Sequence, residues 1–159
     1  MNLSIRRTIA VLCAAAVACA RSATSSNDAN AGIDSLNARL SNAYRNRDPQ
    51  AYAGLFTDSA VFEWPAFNSV RGPAALGTMA RTNWAAERDV DLKVSVAARH
   101  LASDHATEFG AFQQTWTDSS GIRMTEFGRY ATYLVRLPDG SWRFDRWLGF
   151  EDSTRRAER

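Results

Sequence analysis

Cysteine is almost absent from this sequence: the only two, Cys13 and Cys19, lie within its first nineteen residues. The rest of the 159-residue chain therefore excludes a disulfide framework, a thiolate nucleophile and a zinc site built on cysteine. Lysine is limited to Lys93, and the arginines are scattered rather than clustered among aromatic residues. This distribution of charge does not favour a nucleic-acid-binding role.

Motifs for metals and cofactors are also missing. His100 and His105 are the only histidines, they flank a predicted turn at Ser103-Asp104, and no third ligand stands at a metal-binding spacing. The sequence has no glycine-rich phosphate loop, no nucleophile elbow around a serine and no Walker pattern. We therefore predict neither a metal nor a cofactor.

The N-terminus has the pattern of an export signal. Arg6 and Arg7 precede an apolar run, residues 8–18, that is too short to cross a bilayer. Residues 1–18 are therefore predicted to be a signal peptide, and cleavage before Cys19 would leave this cysteine as an acylated N-terminus. Cleavage after the neighbouring small residues, giving a soluble exported protein, and an uncleaved segment are the alternatives. We expect a lipid-anchored protein of the cell envelope or periplasm, with membrane contact only through the anchor.

Composition divides the rest of the chain into three parts. Residues 19–32 are small and polar and are predicted to form a flexible tether. Residues 33–152 are long enough for one domain with a proper core. Residues 153–159 are charged and are predicted to be a disordered tail.

Three helices are predicted at the start of the domain. The first has a helical stripe formed by Ile33, Leu36, Leu40, Ala43 and Tyr44. Asp48 is a typical N-cap and Pro49 a typical first residue for a second helix, which we expect to run to Phe56. The third helix is predicted over 72–87.

Strands dominate the remainder. A first strand is predicted at 60–64, followed by a loop at 65–71, and four long strands are predicted at 90–102, 106–117, 123–137 and 141–151. The segments Asp118–Gly121 and Pro138–Gly140 are hairpin signals. Gly110 and Gly128 fall within long strands, where glycine typically marks a bulge or bend. Helices followed by antiparallel strands indicate an α+β domain with helices on one face of the sheet.

This order of elements resembles the SnoaL-like and ketosteroid-isomerase-like families of the nuclear-transport-factor-two-like superfamily. Three segments carry the likeness, namely Tyr44–Val61, Val70–Leu76 and Gly128–Phe144. The resemblance implies a cone-shaped, mainly antiparallel curved sheet wrapped around the N-terminal helix, with three helices in all. It also implies a cavity inside the cone and a homodimer formed through the exposed face of the sheet.

The resemblance does not extend to the isomerase chemistry. In that family the catalytic aspartate precedes a proline in the first strand, but here Trp64 precedes Pro65. The position of the family's oxyanion-hole tyrosine corresponds to about Leu40. Steroid isomerisation needs a base and a donor for the enolate oxygen, and both matched positions are apolar. We expect Trp64 to line the cavity and steroid isomerase activity to be absent.

Several residues are candidates for contact with a ligand. Glu63 lies beside Trp64, but pleating also allows it to face solvent or pair with an arginine. Strand alternation places Arg146 inward, where it would bind a carboxylate ligand or pair with Glu126 or Glu63. Glu126 is expected inward or at an exposed edge. The complete set of candidates is Glu63, Trp64, Phe67, Met79, Trp116, Glu126, Tyr130 and Arg146.

These features lead to three hypotheses about function. The first is that the cavity binds a small apolar molecule without steroid isomerase chemistry. The second is an enzyme that uses Glu63 or Glu126 for proton transfer or hydrolysis on a small hydrophobic substrate. The third is a protein-interaction module of the cell envelope.

Overall fold

A computed structural model describes residues 14–157 of the chain, with side chains described over residues 26–157. Three helices are present, α1 (Ala14–Asn46), α2 (Pro49–Ala53) and α3 (Gly72–Ala85). Six strands follow or separate them, and their bounds are β1 (Phe56–Trp64), β2 (Phe67–Arg71), β3 (Arg88–Leu101), β4 (His105–Thr117), β5 (Arg123–Arg136) and β6 (Trp142–Arg156).

The strands form one sheet in the order β2-β1-β6-β5-β4-β3. All neighbouring strands are antiparallel except β1 and β6, which are parallel. The hairpin signals take the predicted positions: the Asp118 carboxylate accepts hydrogen bonds from the main-chain N–H groups of Ser120 and Ile122, and Gly121 has a φ of 82°. The predicted α+β fold with three helices and a mainly antiparallel curved sheet is therefore confirmed.

Helix α1 packs on the inner face of this sheet. The stripe of Ile33, Leu36, Leu40 and Ala43 is buried, as its helical spacing predicted. The chain then reverses at Asp48, whose side chain accepts hydrogen bonds from the N–H groups of Gln50 and Ala51 and so caps α2. The core therefore lies between the three helices and the sheet, with Leu76, Ala80 and Trp84 contributed by α3.

At both of its ends, the folded domain extends further than the sequence predicted. Helix α1 already includes residues 19–32, Ala29 is buried, and the Arg99 guanidinium donates a hydrogen bond to the Asn30 side chain. A flexible tether over this whole segment is therefore wrong, because part of it packs on the core. Strand β6 likewise continues to Arg156, opposite Met124 of β5, so residues 153–156 are not a disordered tail.

Two internal boundaries also differ from the prediction. Helix α2 ends at Ala53, and β1 begins at Phe56 rather than at Ala60. The predicted loop at 65–71 contains strand β2, which pairs with β1 through Trp64 and Phe67. Most of the side chains of β2 are exposed, so this edge strand lacks the apolar alternation from which strands are predicted.

The N-terminal predictions fall largely outside the described residues. Residues 1–13 of the predicted signal peptide and the side chain of Cys19 lie outside them. Within the part of the chain that the structure does describe, no helix has both the length and the apolar character needed to cross a membrane.

A candidate binding cavity inside the cone

A small cavity lies inside the cone, between α1, α2 and the inner face of the sheet. Its volume of about 30 Å³ is enough for one or two water molecules. Ligand pockets are typically about 300–1,000 Å³, so a ligand would have to displace part of the wall. Most of the wall is aromatic, and the lining residues are Leu40, Tyr44, Tyr52, Phe56, Phe62, Trp64, Leu92, Phe112, Gln114 and Trp147.

Three aromatic rings of the inner face lie directly over glycines of other strands. A Cβ atom added to Gly149 would lie 2.2 Å from Cζ3 of Trp64. One added to Gly128 would lie 2.3 Å from the Phe150 carbonyl oxygen and 2.4 Å from Cζ of Phe112. One added to Gly110 would lie 2.3 Å from the Ser95 carbonyl oxygen and 2.7 Å from the Tyr130 ring. Each ring therefore occupies the space that a side chain at the glycine would fill, as glycines in curved sheets permit.

Trp64 and Phe67 form an aromatic stack on one side of the cavity. The Trp64 ring lies parallel to those of Phe62 and Phe67, with centroids 6.1 and 6.2 Å away. Phe67 is 49% exposed at the start of β2. Trp64 therefore belongs to the cavity wall, the position predicted for it, whereas Phe67 covers its outer side.

Glu126 lies on the inner face of β5. It stands directly opposite Gln114, a residue that lines the cavity. Burial, followed by the negative charges of Glu151 and Glu87, raises the pKa of Glu126 from its ordinary value of 4.5 to about 7. The carboxyl group is therefore able to hold or release a proton near neutral pH.

Glu87 is a second partly buried carboxylate. It follows α3, and burial raises its pKa to about 7. Its Oε2 atom is buried without a hydrogen-bond partner. The charges of Glu126 and Glu87 both contribute to a raised pKa of Tyr44, after burial as the main cause. Tyr44 lines the cavity, whereas neither Glu87 nor Glu126 is among the residues that line it.

A third carboxylate, Glu108, is completely buried but fully paired. Its Oε1 atom accepts hydrogen bonds from Asn37 Nδ2 at 2.9 Å and from the Tyr130 hydroxyl at 2.8 Å. Its Oε2 atom accepts one from Arg99 Nε at 2.7 Å, and Arg99 also pairs with Asp34 of α1. This network joins α1 to β3, β4 and β5. The Tyr130 hydroxyl, which the sequence suggested for ligand contact, is hydrogen-bonded to Glu108 within it.

Two of the predicted polar site residues lie away from the cavity. Glu63 accepts a hydrogen bond from the Ser69 hydroxyl at 2.7 Å, on the side of β1 opposite Trp64. Arg146 is exposed, and its guanidinium pairs with the Asp145 carboxylate at 2.6 Å and donates to the Ser59 carbonyl. The predicted partnership of Arg146 with Glu126 or Glu63 is therefore wrong.

A bulge explains the position of Arg146. Phe144 stands opposite Leu134 and Arg146 opposite Tyr133, so Asp145 is an extra residue in β6. The extra residue reverses the alternation, which turns Trp147 into the cavity and leaves Leu148 exposed.

Two of the remaining candidates pack against the core, and three other residues near the site were not among the candidates. Met79 and Trp116 are partly buried against the core but are not among the residues that line the cavity. Glu87, Tyr44 and Trp147 were missed by the sequence analysis. Tyr44 belongs to the helical stripe that was recognised as core, whereas no local pattern distinguishes Glu87 from other polar residues at helix ends. No group of three or more potential metal ligands occurs among residues 26–157.

The outer face of the sheet carries exposed apolar side chains. Val96, Phe109, Leu148 and Phe150 are each between 38% and 46% exposed. A groove of about 680 Å³ runs over this face between β3 and β6. Large apolar patches of this kind are typical of surfaces that contact another molecule.

Known proteins share this architecture. The ketosteroid isomerase-like protein from Erwinia carotovora atroseptica is 20% identical, with a TM-score of 0.67 over 77% of this chain and 95% of that chain. A hexachlorocyclohexane dehydrochlorinase from Novosphingobium barchaimii is 14% identical, with a TM-score of 0.72 over 84% and 93%. A nuclear transport factor 2-like superfamily protein from Salmonella enterica serovar Typhimurium is 19% identical, with a TM-score of 0.68 over 83% and 94%.

These structural likenesses are below 25% identity and show the fold alone. No curated protein matches the sequence. A family model does match, because the model of the SnoaL-like domain aligns with residues 26–148, which is most of the chain. The protein therefore belongs to the SnoaL-like family and has the cone fold of the nuclear-transport-factor-two-like superfamily.

Proposed function

We propose that the cavity binds a small, mainly apolar molecule. The observation that supports this is the aromatic wall, in which Trp64, Phe62 and Trp147 surround a preformed space inside an otherwise packed core. The cavity is small, so binding requires the Trp64 ring to move outward together with Phe67. The partial exposure of both rings at the edge of the sheet is compatible with such a movement.

Native mass spectrometry and a binding titration test this proposal. Protein purified from its own host should retain a small organic molecule, and 2-phenylethanol should bind to the purified chain. Trp64→Ala, which enlarges the cavity, should change the affinity for 2-phenylethanol by about tenfold, the effect of about 1.4 kcal/mol. Phe150→Ala removes an aromatic ring from the outer face and is the matched control. No retained molecule and no binding of 2-phenylethanol to either the wild-type chain or Trp64→Ala would contradict the proposal.

A second candidate function is proton transfer by Glu126. The pKa of about 7 suits this carboxyl group for general acid–base catalysis near neutral pH, and Glu126 stands opposite Gln114, which lines the cavity. One structural neighbour is named for dehydrochlorination, a reaction that removes a proton from carbon. The same cone would therefore combine an apolar pocket with a base.

Deuterium exchange measures this activity directly. We expect the wild-type chain to exchange the α-hydrogens of phenylacetone in D₂O faster than buffer, and Glu126→Gln to lose about a hundredfold or more of this rate. Glu63→Gln, a carboxylate removed from the outer side of β1, should keep the full rate. Equal exchange by wild type and Glu126→Gln would exclude Glu126 as the base.

The assembly proposed for the protein is a homodimer through the outer face of the sheet. The exposed side chains of Phe109, Val96 and Phe150 support it, because monomers seldom expose large contiguous apolar patches. Analytical ultracentrifugation should give twice the chain mass at tens of micromolar, and Phe109→Asp should give the mass of one chain. A wild-type mass of one chain at this concentration would contradict the dimer. An unidentified protein partner on this face is the competing interpretation, and it predicts a monomer.

Export with lipid attachment is proposed from the N-terminal sequence. The apolar run followed by Cys19 supports cleavage before this residue and its acylation. Cys19→Ser should move the protein from the membrane fraction to the soluble fraction of the host. A soluble wild-type protein that begins at Ala20 or later would show the alternative cleavage instead.

A further inference from the structure

The polar groups in the cavity wall are few and uncharged. None of the described residues that line the cavity carries a charged side chain. Apart from two indole N–H groups, which can only donate, the polar side-chain groups of the lining are the Gln114 amide and the hydroxyls of Tyr44 and Tyr52. A charged ligand group would lie here without a partner, which costs more than burying a neutral polar group. The wall therefore suits an uncharged ligand.

Gln114 presents an amide that is available to a ligand. It lies on the inner face of β4, between Leu92 of β3 and Glu126 of β5. Its side chain makes no hydrogen bond with any of residues 26–157, and yet it is not among their buried atoms that lack a partner, so the amide keeps accessible surface. The amide offers both a donor and an acceptor to a molecule that enters the cavity.

Tyr44 contributes a hydroxyl group from α1 to the same cavity. Burial raises the pKa of Tyr44 well above its ordinary value, so the hydroxyl stays protonated and neutral at physiological pH. The cavity has a volume of about 30 Å³, the space of one or two water molecules. A single hydroxyl group placed in so small a space is therefore within reach of both Tyr44 and Gln114.

We propose that Gln114 and Tyr44 bind a neutral oxygen group of the apolar ligand, a hydroxyl or a carbonyl, and so select this ligand over a hydrocarbon of the same shape. This inference rests on the proposed binding function and adds the polar group of the ligand. The ligand oxygen accepts hydrogen bonds from the Gln114 amide and the Tyr44 hydroxyl, and a ligand hydroxyl also donates to the amide oxygen of Gln114. The apolar part of the ligand packs against the aromatic wall.

A pair of probes with nearly the same shape tests this selection separately from binding itself. 2-Phenylethanol carries a hydroxyl group where propylbenzene carries a methyl group. Tryptophan fluorescence of the full-length chain measures both affinities, because Trp64 and Trp147 line the cavity. The free probes differ in hydration, so the measured quantity is the ratio of their affinities in a variant relative to the wild type. Gln114→Met and Tyr44→Phe should each shift this ratio against the alcohol by about tenfold, with no loss of affinity for propylbenzene.

A glutamine on the same strand provides the matched control. Alternation along β4 places Gln113 on the opposite face from Gln114, so Gln113→Met should leave the ratio unchanged. The titrations are repeated with each variant combined with Trp64→Ala, which enlarges the cavity so that the size of the probes does not limit access.

The possible outcomes separate this site from binding in general. A shift of less than about threefold in either Gln114→Met or Tyr44→Phe, with both probes still bound, would overturn the hydrogen-bonding site but keep the proposed function. An equal shift in Gln113→Met would do the same. Binding of neither probe to either the wild type or Trp64→Ala would overturn both.

Discussion

Gly149 and Trp64 provide the sharpest test of how the cavity is built. A Cβ atom at position 149 would lie 2.2 Å from Cζ3 and 2.5 Å from Cε3 of Trp64, and 3.3 Å from Nε1 of Trp147. Ordinary contacts begin near 3.4 Å, so in Gly149→Ala the Trp64 ring has to move by at least about 1.2 Å. All three of these contacts are with side chains, so the main chain of neighbouring strands does not have to move.

We expect Gly149→Ala to lower the free energy of unfolding by about 1–3 kcal/mol, the usual cost of overfilling a packed core. Urea denaturation measures this loss, and near-UV circular dichroism reports the displaced indole ring. Gly54→Ala is the matched control, because its added Cβ meets only ordinary contacts at 3.5 and 3.6 Å and its φ of −66° suits alanine. The control should change stability by less than about 0.5 kcal/mol or increase it slightly.

A double-mutant cycle with Trp64→Leu then identifies the cause. If the alanine methyl acts by pushing the indole ring, Gly149→Ala should cost little once the ring has been removed. The two substitutions should therefore be non-additive by at least about 1 kcal/mol. Additive effects, or a loss below about 0.5 kcal/mol for Gly149→Ala alone, would refute the account of Trp64 as a ring held over Gly149.

Three further predictions follow from the buried charges and the cavity wall. Arg99→Met leaves Glu108 buried without its cation and should lower the free energy of unfolding, measured in urea, by about 3–5 kcal/mol. Arg129→Met removes an exposed ion pair and should lower it by less than about 1 kcal/mol. Similar losses in the two variants would contradict the role of Arg99 as the partner of a buried charge. Burial raises the pKa of Glu126 from 4.5 to about 7, so between these pH values the folded chain holds a proton that the unfolded chain has released. The free energy of unfolding should therefore fall as the pH rises from 4.5 to 7. Glu126→Gln should make this dependence on pH weaker, as measured by urea denaturation at a series of pH values. An unchanged dependence would show that the Glu126 carboxyl group titrates normally. Neither the wild type nor Trp64→Asp should isomerise an unsaturated ketosteroid in a spectrophotometric assay. Turnover above background by the wild type would contradict the expected absence of steroid isomerase activity.

The sequence predicted the fold because its signals are local. The stripe that begins at Ile33 has helical spacing, Asp48 and Pro49 mark a helix start, and the glycine turns set the hairpins. Trp64 was also placed correctly, because Pro65 ends its strand and alternation then decides its side of the sheet. Each of these inferences needs only a few neighbouring residues.

The inner wall of β6 could not be predicted in the same way. The bulge at Asp145 depends on how β6 aligns with β5, and nothing in the local sequence marks an extra residue there. Strict alternation therefore placed Arg146 inward, whereas the structure leaves Arg146 exposed and turns Trp147 into the cavity. Glu87 was missed for a related reason, since no pattern among its sequence neighbours marks a partly buried carboxylate after α3.

The positions of the partly buried carboxylates in this chain differ from the base position that the isomerase resemblance implies. The strand position before Pro65, where the isomerase resemblance implies a base, holds Trp64, which lines the cavity. The acidic groups come instead from β5 and from the end of α3, where burial raises the pKa of both Glu126 and Glu87. A base on β5 would approach a ligand from a different strand than a base before Pro65, so the same cavity shape would favour a different ligand orientation. Function in this family therefore has to be argued from which strand supplies the charged groups, because the cone itself accommodates several arrangements.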